Sequence, residues 1–321
     1  MKLEEIKSIA VLGAGLMGHG IAQSFLLGGY PVRLYDLKES ILKTAKAHIE
    51  KNLVLFSKVG LIPGDGIGPT LERLVLTTDL SQAVEEADFI LEAAPEDLGL
   101  KQKLFQQVEN HVWKGAIIAS NTSSLTLTDI GVRVRKKDRL VITHWFNPPH
   151  IVPVVEVVKG EKTSDETVET VYQLLTRIKK VPVKINLELP GFLVNRIQVA
   201  MAREVFDLFE KGVASAADID RAIKGSIGFR LASIGPLLTA DLGGLDLWLK
   251  VCENLLPHIQ SSIEPPRALQ RLVSRGHSGI KSGKGFYDYA LDFSQAELDE
   301  AVKKRDEEFL KRLKSLYWDK K

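Results

Sequence analysis

Two side chains twelve positions apart, His144 and Glu156, are of the types that together can move a proton. Glu156 lies in the apolar, strand-like run Val154-Val155-Glu156-Val157-Val158, where a carboxylate without a partner is costly to bury. His144 follows another apolar run, and imidazole titrates close to neutral pH, which suits a general base. We therefore expect Glu156 to hold one ring nitrogen of His144, leaving the other nitrogen for a substrate hydroxyl.

A glycine-rich turn near the start of the chain has the spacing of a dinucleotide-binding motif. Gly13-Ala14-Gly15-Leu16-Met17-Gly18 follows a short apolar run and precedes a helical pattern, the context that makes GxGxxG a strong signal. Gly13 allows the tight turn, Gly15 lets a pyrophosphate approach the backbone, and Gly18 lets helix and strand pack closely. The helix N-terminus supplies free N–H groups and partial positive charge for phosphates.

Asp36 closes the second predicted strand, 18 residues after Gly18. A carboxylate at this position accepts hydrogen bonds from ribose hydroxyls and repels a 2′-phosphate, so we expect NAD rather than NADP. The alternative, a glycine turn that binds nothing, does not account for the strand, turn, helix and acid occurring together. A general base and a hydride acceptor in one chain indicate the oxidation of an alcohol.

Further polar residues follow predicted elements. Ser120-Asn121-Thr122-Ser123-Ser124 comes after a strand, at the edge where doubly wound sheets bind ligands, although one of these residues could instead cap a helix. Asn195 lies on the first helix after Pro190, where it could bond a substrate carbonyl or be an exposed amide. The glycine run 62–69 resembles the opening motif of isocitrate and isopropylmalate dehydrogenases, but it follows a helix in mid-domain and is predicted to be a loop.

The elements that must position these residues alternate between strand and helix up to about residue 187. Strands are predicted at 9–12, 32–36, 75–77, 89–93, 116–119, 140–143, 154–158 and 181–185, and a further helix at 71–74. This alternation predicts an α/β fold with a Rossmann-type, doubly wound parallel sheet. Beyond residue 190 only helical periods remain, so we predict an NAD-binding domain over 1–189 and an all-α C-terminal domain over 190–321.

The composition argues against several classes of protein. A net charge of +2 with dispersed basic residues gives no reason to expect nucleic acid. The single cysteine, Cys252, excludes an intramolecular disulfide and fits a reducing compartment. No apolar run approaches the roughly 18 residues that span a bilayer, and the first residues lack the apolar core of a signal peptide. We expect a soluble, cytoplasmic protein with a small-molecule substrate, no metal, and no membrane partner.

Six motifs resemble, in the same order, those of the 3-hydroxyacyl-CoA dehydrogenase family, and they span nearly the whole chain. The resemblance implies NAD as cofactor and a helical second domain that carries the contact of a homodimer. The motifs are Gly13 to Gly18, Glu92-Ala93-Ala94-Pro95-Glu96-Asp97, Ser120-Asn121-Thr122-Ser123-Ser124, His144-Trp145-Phe146-Asn147-Pro148, Pro190-Gly191-Phe192-Leu193-Val194-Asn195-Arg196 and Lys281-Ser282-Gly283-Lys284-Gly285-Phe286-Tyr287.

The resemblance also implies roles for individual residues. It makes His144 the base, paired with Glu156, and it places Ser123 and Asn195 on the family's substrate-binding serine and asparagine. With the residues of the glycine turn, it yields a set of predicted cofactor contacts. These contacts are Gly13, Gly15, Leu16, Met17, Gly18, Asp36, Ala94, Glu96, Lys101, Asn121 and Asn147.

The implied reaction is oxidation of the 3-hydroxyl of an L-3-hydroxyacyl-CoA to the 3-ketoacyl-CoA. The loop Asn147-Pro148-Pro149-His150-Ile151-Val152-Pro153 looks more like family members that act on free acids, namely L-gulonate 3-dehydrogenase (lambda-crystallin), carnitine dehydrogenase and a pyridine-carboxylate dehydrogenase. The alternative is therefore the same chemistry on a free 3-hydroxy acid such as gulonate or carnitine, or on an aromatic carboxylate. A non-catalytic, crystallin-like role is the third hypothesis.

Overall fold

The computed structural model describes residues 1–289 and 294–319, which form two compact units. The first holds Met1–Leu193 together with the described residues from Lys304 onward, and the second holds the described residues within Val194–Lys303. This division differs from the predicted one at both ends of the helical part. Phe192 is buried in the core of the first unit, and the last helix returns to that unit because Leu310 and Leu313 are buried there.

One sheet of eight strands forms the centre of the first unit, in the order β3-β2-β1-β4-β5-β6-β7-β8. The Rossmann-type prediction is confirmed. All neighbours pair in parallel except β6 and β7, which are antiparallel, because the connection over residues 146–153 is too short for a parallel crossover. The strands are β1 Ile9–Leu12, β2 Val32–Tyr35, β3 Leu74–Thr77, β4 Phe89–Glu92, β5 Ile117–Ser120, β6 Leu140–Trp145, β7 Val154–Val158 and β8 Val181–Ile185.

Helices cover both faces of this sheet, and alternate strand residues therefore enter two separate apolar clusters. Val11 packs towards α1, α2 and α7, whereas its neighbours Ala10 and Leu12 pack towards α4, α5 and α6. These helices are α1 Gly18–Leu27, α2 Glu39–Lys58, α3 Ile67–Leu71, α4 Leu80–Val84, α5 Leu98–His111, α6 Leu127–Ile130 and α7 Asp165–Arg177.

The helix predicted at 71–74 is wrong: α3 ends at Leu71, and Leu74 already begins β3. Part of the predicted loop 62–69 is also helical, since α3 begins at Ile67. The sequence analysis missed α4, a helix of five residues that has too few turns to show a period. A local cap marks its start instead, because the side chain of Asp79 accepts hydrogen bonds from the N–H groups of Ser81 and Gln82.

The second unit is helical, as predicted. Gly212, at a φ of 67°, follows the end of α8 as its C-terminal cap, and Ser215 caps α9. No helix in the described part of the chain is long and apolar enough to cross a membrane. The helices are α8 Val194–Glu210, α9 Ala216–Gly225, α10 Ile227–Leu231, α11 Pro236–Gly243, α12 Leu245–Leu255 and α13 Arg267–Ser274; α14 Gln295–Leu313 and a π-helical turn Lys314–Trp318 follow.

Candidate active site

His144 and Glu156 face each other across the antiparallel pair β6 and β7. They are partners in register, so their side chains project from the same face of the sheet, and Nδ1 of His144 lies 2.7 Å from Oε2 of Glu156. The hairpin register thus explains the spacing of twelve residues. His144 lies inside β6 rather than just after a strand ending at residue 143, because pairing with β7 extends the strand to Trp145. The predicted contact is present, and the catalytic role stays a prediction.

The surroundings of this pair hold the imidazole in one orientation. Glu156 is fully buried, and its Oε1 accepts a hydrogen bond of 3.0 Å from the backbone N–H of Leu193. The rings of Phe146 and Phe192 lie 4.5 and 5.4 Å from the imidazole, centroid to centroid. A carboxylate at Nδ1 selects the tautomer with the proton on Nδ1, which leaves Nε2 with the lone pair that a base needs.

A buried ion pair, Lys101 with Glu92, lies at the carboxyl ends of β4 and β5. Nζ of Lys101 is 2.6 Å from Oε1 of Glu92, and the hydroxyl of Ser120 donates a 2.6 Å hydrogen bond to the other carboxylate oxygen. The N–H of Ala94 also donates to Glu92, at 2.7 Å. Because Glu92 and Lys101 are both almost completely buried, this network fixes the loop after β4 instead of presenting charge to solvent.

Glu96 organises the serine-rich loop that follows β5. Its Oε1 accepts hydrogen bonds from the hydroxyls of Thr122 and Ser124, at 2.6 and 2.9 Å, and from the N–H of Ser123 at 3.1 Å. Partial burial raises the pKa of the Glu96 carboxyl, but the bond from Thr122, the charge of Lys101 and the other bonds outweigh burial, so this pKa is lowered. Glu96 is therefore an anion that holds Ser123 in place.

The geometry supports a positioning role for Lys101. Its ammonium contacts Glu92, the carbonyl of Ala94 at 3.2 Å and Glu96 at 3.3 Å, and its side chain is buried. Three oxygen acceptors of this kind satisfy an ammonium. The prediction that Lys101 contacts the cofactor directly stays a prediction; what the contacts support is that it orients Glu96.

The two asparagines predicted at the cofactor, Asn121 and Asn147, both belong to the first unit. Oδ1 of Asn121 accepts a 2.9 Å hydrogen bond from the N–H of Trp145, and the N–H of Asn121 donates to the carbonyl of Glu92. Asn121 thereby links the end of β4 to the residue after His144. Asn147 is exposed in the loop after β6 and precedes a cis peptide bond to Pro148.

The glycine turn has the geometry that its sequence predicts. Gly13 has a φ of 102°, and a Cβ there would lie 2.6 Å from the carbonyl oxygen of Ala93. A Cβ on Gly18 would overlap the carbonyl of Gly13, whereas nothing lies within 4 Å of the corresponding position on Gly15. No side chain caps the start of α1, which leaves its first N–H groups for phosphate oxygens.

Asp36 lies directly beside this turn. Its Oδ2 accepts a 2.9 Å hydrogen bond from the N–H of Ala14, between the first two glycines. The remaining oxygen, Oδ1, makes only a longer contact of 3.3 Å, to the N–H of Lys38. The side chain of Leu16 is exposed at the tip of the turn. Asp36 therefore anchors the turn and still has acceptor capacity for a ribose.

The remaining predicted substrate residue, Asn195, belongs to the second unit. It lies in the first turn of α8, half-buried, two residues after Leu193. Its substrate contact stays a prediction. In the described part of the chain no cluster of three or more His, Cys, Asp or Glu side chains could hold a metal ion.

Glu92 and Ser120 were predicted only as parts of longer motifs, and neither was assigned a role of its own in the site. Glu92 ends a strand whose other residues are Phe89, Ile90 and Leu91, all fully buried. A carboxylate attached to such a run needs a partner for the same reason as Glu156 among its valines. This signal was present in the sequence and would have identified Glu92.

Comparison with known proteins now assigns the chain. A model of the 3-hydroxyacyl-CoA dehydrogenase NAD-binding domain matches residues 8–188, and a model of the C-terminal domain of the same enzymes matches residues 191–289. The chain belongs to the 3-hydroxyacyl-CoA dehydrogenase family. The predictions of an NAD-dependent oxidoreductase and of NAD as its cofactor are thereby confirmed.

Similar family members differ in substrate. The 5-formyl-3-hydroxy-2-methylpyridine 4-carboxylate 5-dehydrogenase of Mesorhizobium japonicum is 32% identical over 300 residues, which cover 93% of this chain and 96% of that protein. A crystal structure of a dehydrogenase of that name, an NAD⁺-dependent dismutase, superposes with a TM-score of 0.89 at 30% identity, covering 98% of this chain and 100% of that one. The crystal structure of the (S)-3-hydroxybutyryl-CoA dehydrogenase of Ralstonia eutropha superposes with a TM-score of 0.73 at 33% identity. The superposition covers 89% of this chain and 100% of that one.

Proposed function

We propose that His144 is the general base, oriented by Glu156, with which this dehydrogenase oxidises a secondary alcohol β to a carbonyl group. Nε2 of His144 takes the hydroxyl proton as the carbon–oxygen double bond forms. NAD, when bound, accepts the hydride that leaves the same carbon. The contact of 2.7 Å between Nδ1 of His144 and Glu156 carries this proposal, because a carboxylate there stabilises the imidazolium produced by the proton transfer.

The other predicted site residues act by positioning the substrate. Ser123, which Glu96 holds at the carboxyl end of the sheet, offers a hydroxyl to a substrate oxygen. Asn195 offers an amide N–H to the substrate carbonyl, and Asn147 a second amide near the nicotinamide. Holding an alcohol, a base and a hydride acceptor in one geometry lowers the activation free energy by on the order of 7–11 kcal/mol.

Two substrate classes fit this chemistry. An L-3-hydroxyacyl-CoA is the substrate class of the enzymes that define the family. A free hydroxy acid or an aromatic carboxylate is favoured by one observation: the pyridine-carboxylate enzyme superposes on 98% of this chain at a TM-score of 0.89, against 89% and 0.73 for the hydroxybutyryl-CoA enzyme. We therefore rank the free carboxylate first.

A substrate panel tests the reaction and its substrate class together. NADH absorbance is followed with 3-hydroxyacyl thioesters, with free 3-hydroxy acids, and with pyridine carboxylates that carry an alcohol or aldehyde. Turnover of free acids, with no inhibition by CoA or acetyl-CoA, is the expected result. Turnover of thioesters with competition by CoA reverses the ranking, and no turnover of any compound contradicts the proposed reaction.

We propose in addition that the enzyme is a homodimer whose contact lies on the helical unit. In the described part of that unit, Ala268 is the only buried apolar residue, so a single chain leaves its apolar side chains exposed. A second copy would cover them. The most exposed are Val199, Val213, Phe229, Leu237, Leu242, Leu245 and Ile263.

A further inference from the structure

A lysine outside the proposed chemistry, Lys180, is buried directly before β8. Its Nζ donates hydrogen bonds to the backbone carbonyls of Pro149, at 2.6 Å, and Val152, at 3.0 Å. The ammonium also lies 5.3 Å from the ring centre of Trp145, which follows His144 in β6. Burial lowers the pKa of Lys180 to about 7. Because burying an ammonium costs free energy, the hydrogen bonds and the ring contact of Lys180 must offset that cost.

The carbonyls that Lys180 binds belong to the loop between the two catalytic strands. Residues 146–153 connect β6, which carries His144, to β7, which carries Glu156, and they include Asn147. Three of the eight residues are prolines, which have no N–H to donate. Within the loop, Ile151 and Val152 both donate to the carbonyl of Pro148. Lys180 supplies two further hydrogen bonds, from outside the loop.

The backbone of Lys180 is itself fixed at the end of α7. The N–H of Lys179 donates to Thr176 and the N–H of Lys180 to Leu175, the paired bonds of a Schellman motif. Lys179 occupies the left-handed position of this motif at a φ of 61°, where glycine is usual. Its ammonium lies 4.3 Å from the ring centre of Trp318 in the last turn of the chain. The side chain of Lys180 thus starts from a well-defined point.

The loop also packs against the C-terminal helix. Ile151 forms an apolar cluster with Phe56 of α2 and with Leu310 and Leu313 of α14. The helix α14 lies beyond residue 289, where the match to the family's C-terminal domain ends. The loop is therefore held by a charged group and by an apolar contact.

We propose that Lys180 is a positioning residue for the reaction: by tying the carbonyls of Pro149 and Val152 to the end of α7, it holds the loop that places Asn147 and keeps His144 opposite Glu156. This inference rests on the proposed function of the His144 pair. Without the ammonium, the carbonyls of Pro149 and Val152 lose the bonds from Lys180, and Pro149 keeps the long bond of 3.5 Å from the hydroxyl of Ser24. The loop then gains freedom at the residues that must be aligned with substrate.

The test compares Lys180→Met, which keeps the length but not the charge, with Lys180→Arg, which keeps a cation and its donors. Lys184→Met is the matched control, because Lys184 lies nearby in β8 but pairs with Glu169 at the surface. Leu174→Ala controls for loss of stability, because Leu174 is a buried residue of α7 in an apolar cluster that includes none of the loop residues. Each variant is measured for kcat, KM, NAD affinity and amide hydrogen exchange at Ile151 and Val152.

We expect Lys180→Met to lower kcat by about 10-fold or more, with NAD affinity within about twofold of wild type. Amide exchange at Ile151 and Val152 should rise by about 10-fold or more, because local opening of the loop becomes easier. Lys180→Arg should restore part of the kcat and part of the protection from amide exchange. Both control variants should leave kcat and exchange at these amides near the wild-type values.

Unchanged exchange in Lys180→Met, or faster exchange with an unchanged kcat, would overturn the positioning role. An equal loss of kcat in Leu174→Ala would overturn it as well, since general instability would then suffice. If the wild-type enzyme turns over no substrate, the proposed function fails by itself. Amide exchange, which needs no substrate, then decides alone whether Lys180 holds the loop.

Discussion

Single buried side chains in this enzyme differ in whether they have a partner, and that difference sets their chemistry. Glu156 is bound by His144 and by a backbone N–H, at the place where we propose that a proton is transferred. Glu92 has an ammonium and a hydroxyl as partners and serves the loops. His150, by contrast, is buried, and its Nδ1 has no hydrogen-bond partner among the residues that the structure describes. Such a side chain is costly to protonate in the folded state.

The pH dependence of stability should reflect His150. Burial, with smaller effects of the charges of His19, Lys180 and Arg305, lowers the pKa of His150 to about 3 from 6.5. As the pH falls between these values, the unfolded chain binds a proton that the folded chain does not. The contribution of His150 to stability is therefore complete above pH 6.5 and is lost as the pH falls towards 3.

We expect wild type to lose about 1–3 kcal/mol more of its free energy of unfolding than His150→Leu between pH 7 and about pH 4.5. Urea unfolding at a series of pH values measures this difference. His258→Gln, at an exposed position, is the control and should follow wild type. Parallel curves for wild type and His150→Leu would show that folded His150 titrates normally.

At the scale of elements, the antiparallel hairpin of β6 and β7 and the carboxyl ends of β4 and β5 build the site. The hairpin brings His144 and Glu156 into register, and the strand ends hold Glu96 and the serine-rich loop. The ion pair of Glu92 and Lys101 joins the strand ends to α5, on which Lys101 lies. Each contact depends on strand order, which is a property of the whole sheet.

Lys101→Met should destabilise the fold by about 3–5 kcal/mol, because it leaves the charge of Glu92 buried without a counter-ion. Adding Glu92→Gln should restore a large part of that loss, since the double variant buries no charge at this position. Lys103→Met, exposed on the same helix, should be nearly neutral. Urea unfolding of wild type, the two single lysine variants and the double variant measures these differences in the free energy of unfolding. A single variant as stable as wild type, or a double variant no better than the single, contradicts this assignment.

Local signals explain what the sequence predicted correctly. The apolar run at 154–158 matches β7 at both ends, and the glycine turn needs only its own residues to be recognised. Long-range features were harder to predict. The antiparallel pairing depends on which strand adds to the sheet edge, and Lys180 resembles any solvated lysine until Pro149 and Val152 are placed against it. The helix α4 is too short to show a period.

At the scale of the whole molecule, the chain is a sheet-centred unit and a helical unit with opposite surface character. The first unit buries its apolar residues in three clusters, and its last helix, α14, completes one of them with Leu310 and Leu313. The helical unit leaves side chains such as Leu237 and Leu242 largely exposed. Exposed apolar surface of this kind is typical of interaction sites, and it is the basis of the proposed homodimer.

If the proposed homodimer forms, the mass measured in solution is about 71 kDa, twice the 35.6 kDa of the chain. Light scattering after gel filtration measures it. Leu237→Lys with Leu242→Lys should shift the enzyme towards 35.6 kDa, because both side chains are exposed on the helical unit. Val75→Lys, exposed on the edge strand β3, should not. A wild-type mass of 35.6 kDa at tens of micromolar protein contradicts the dimer.

A double-mutant cycle on His144 and Glu156, with the substrate that the panel identifies, tests the central claim most directly. We expect His144→Gln to lower kcat by about 10²–10⁴-fold at unchanged NAD affinity. Glu156→Gln should also lower kcat, and the double variant should be no slower than His144→Gln, because the two residues act as one unit. Losses that multiply in the double variant, or a His144→Gln enzyme within tenfold of wild type, would contradict the account.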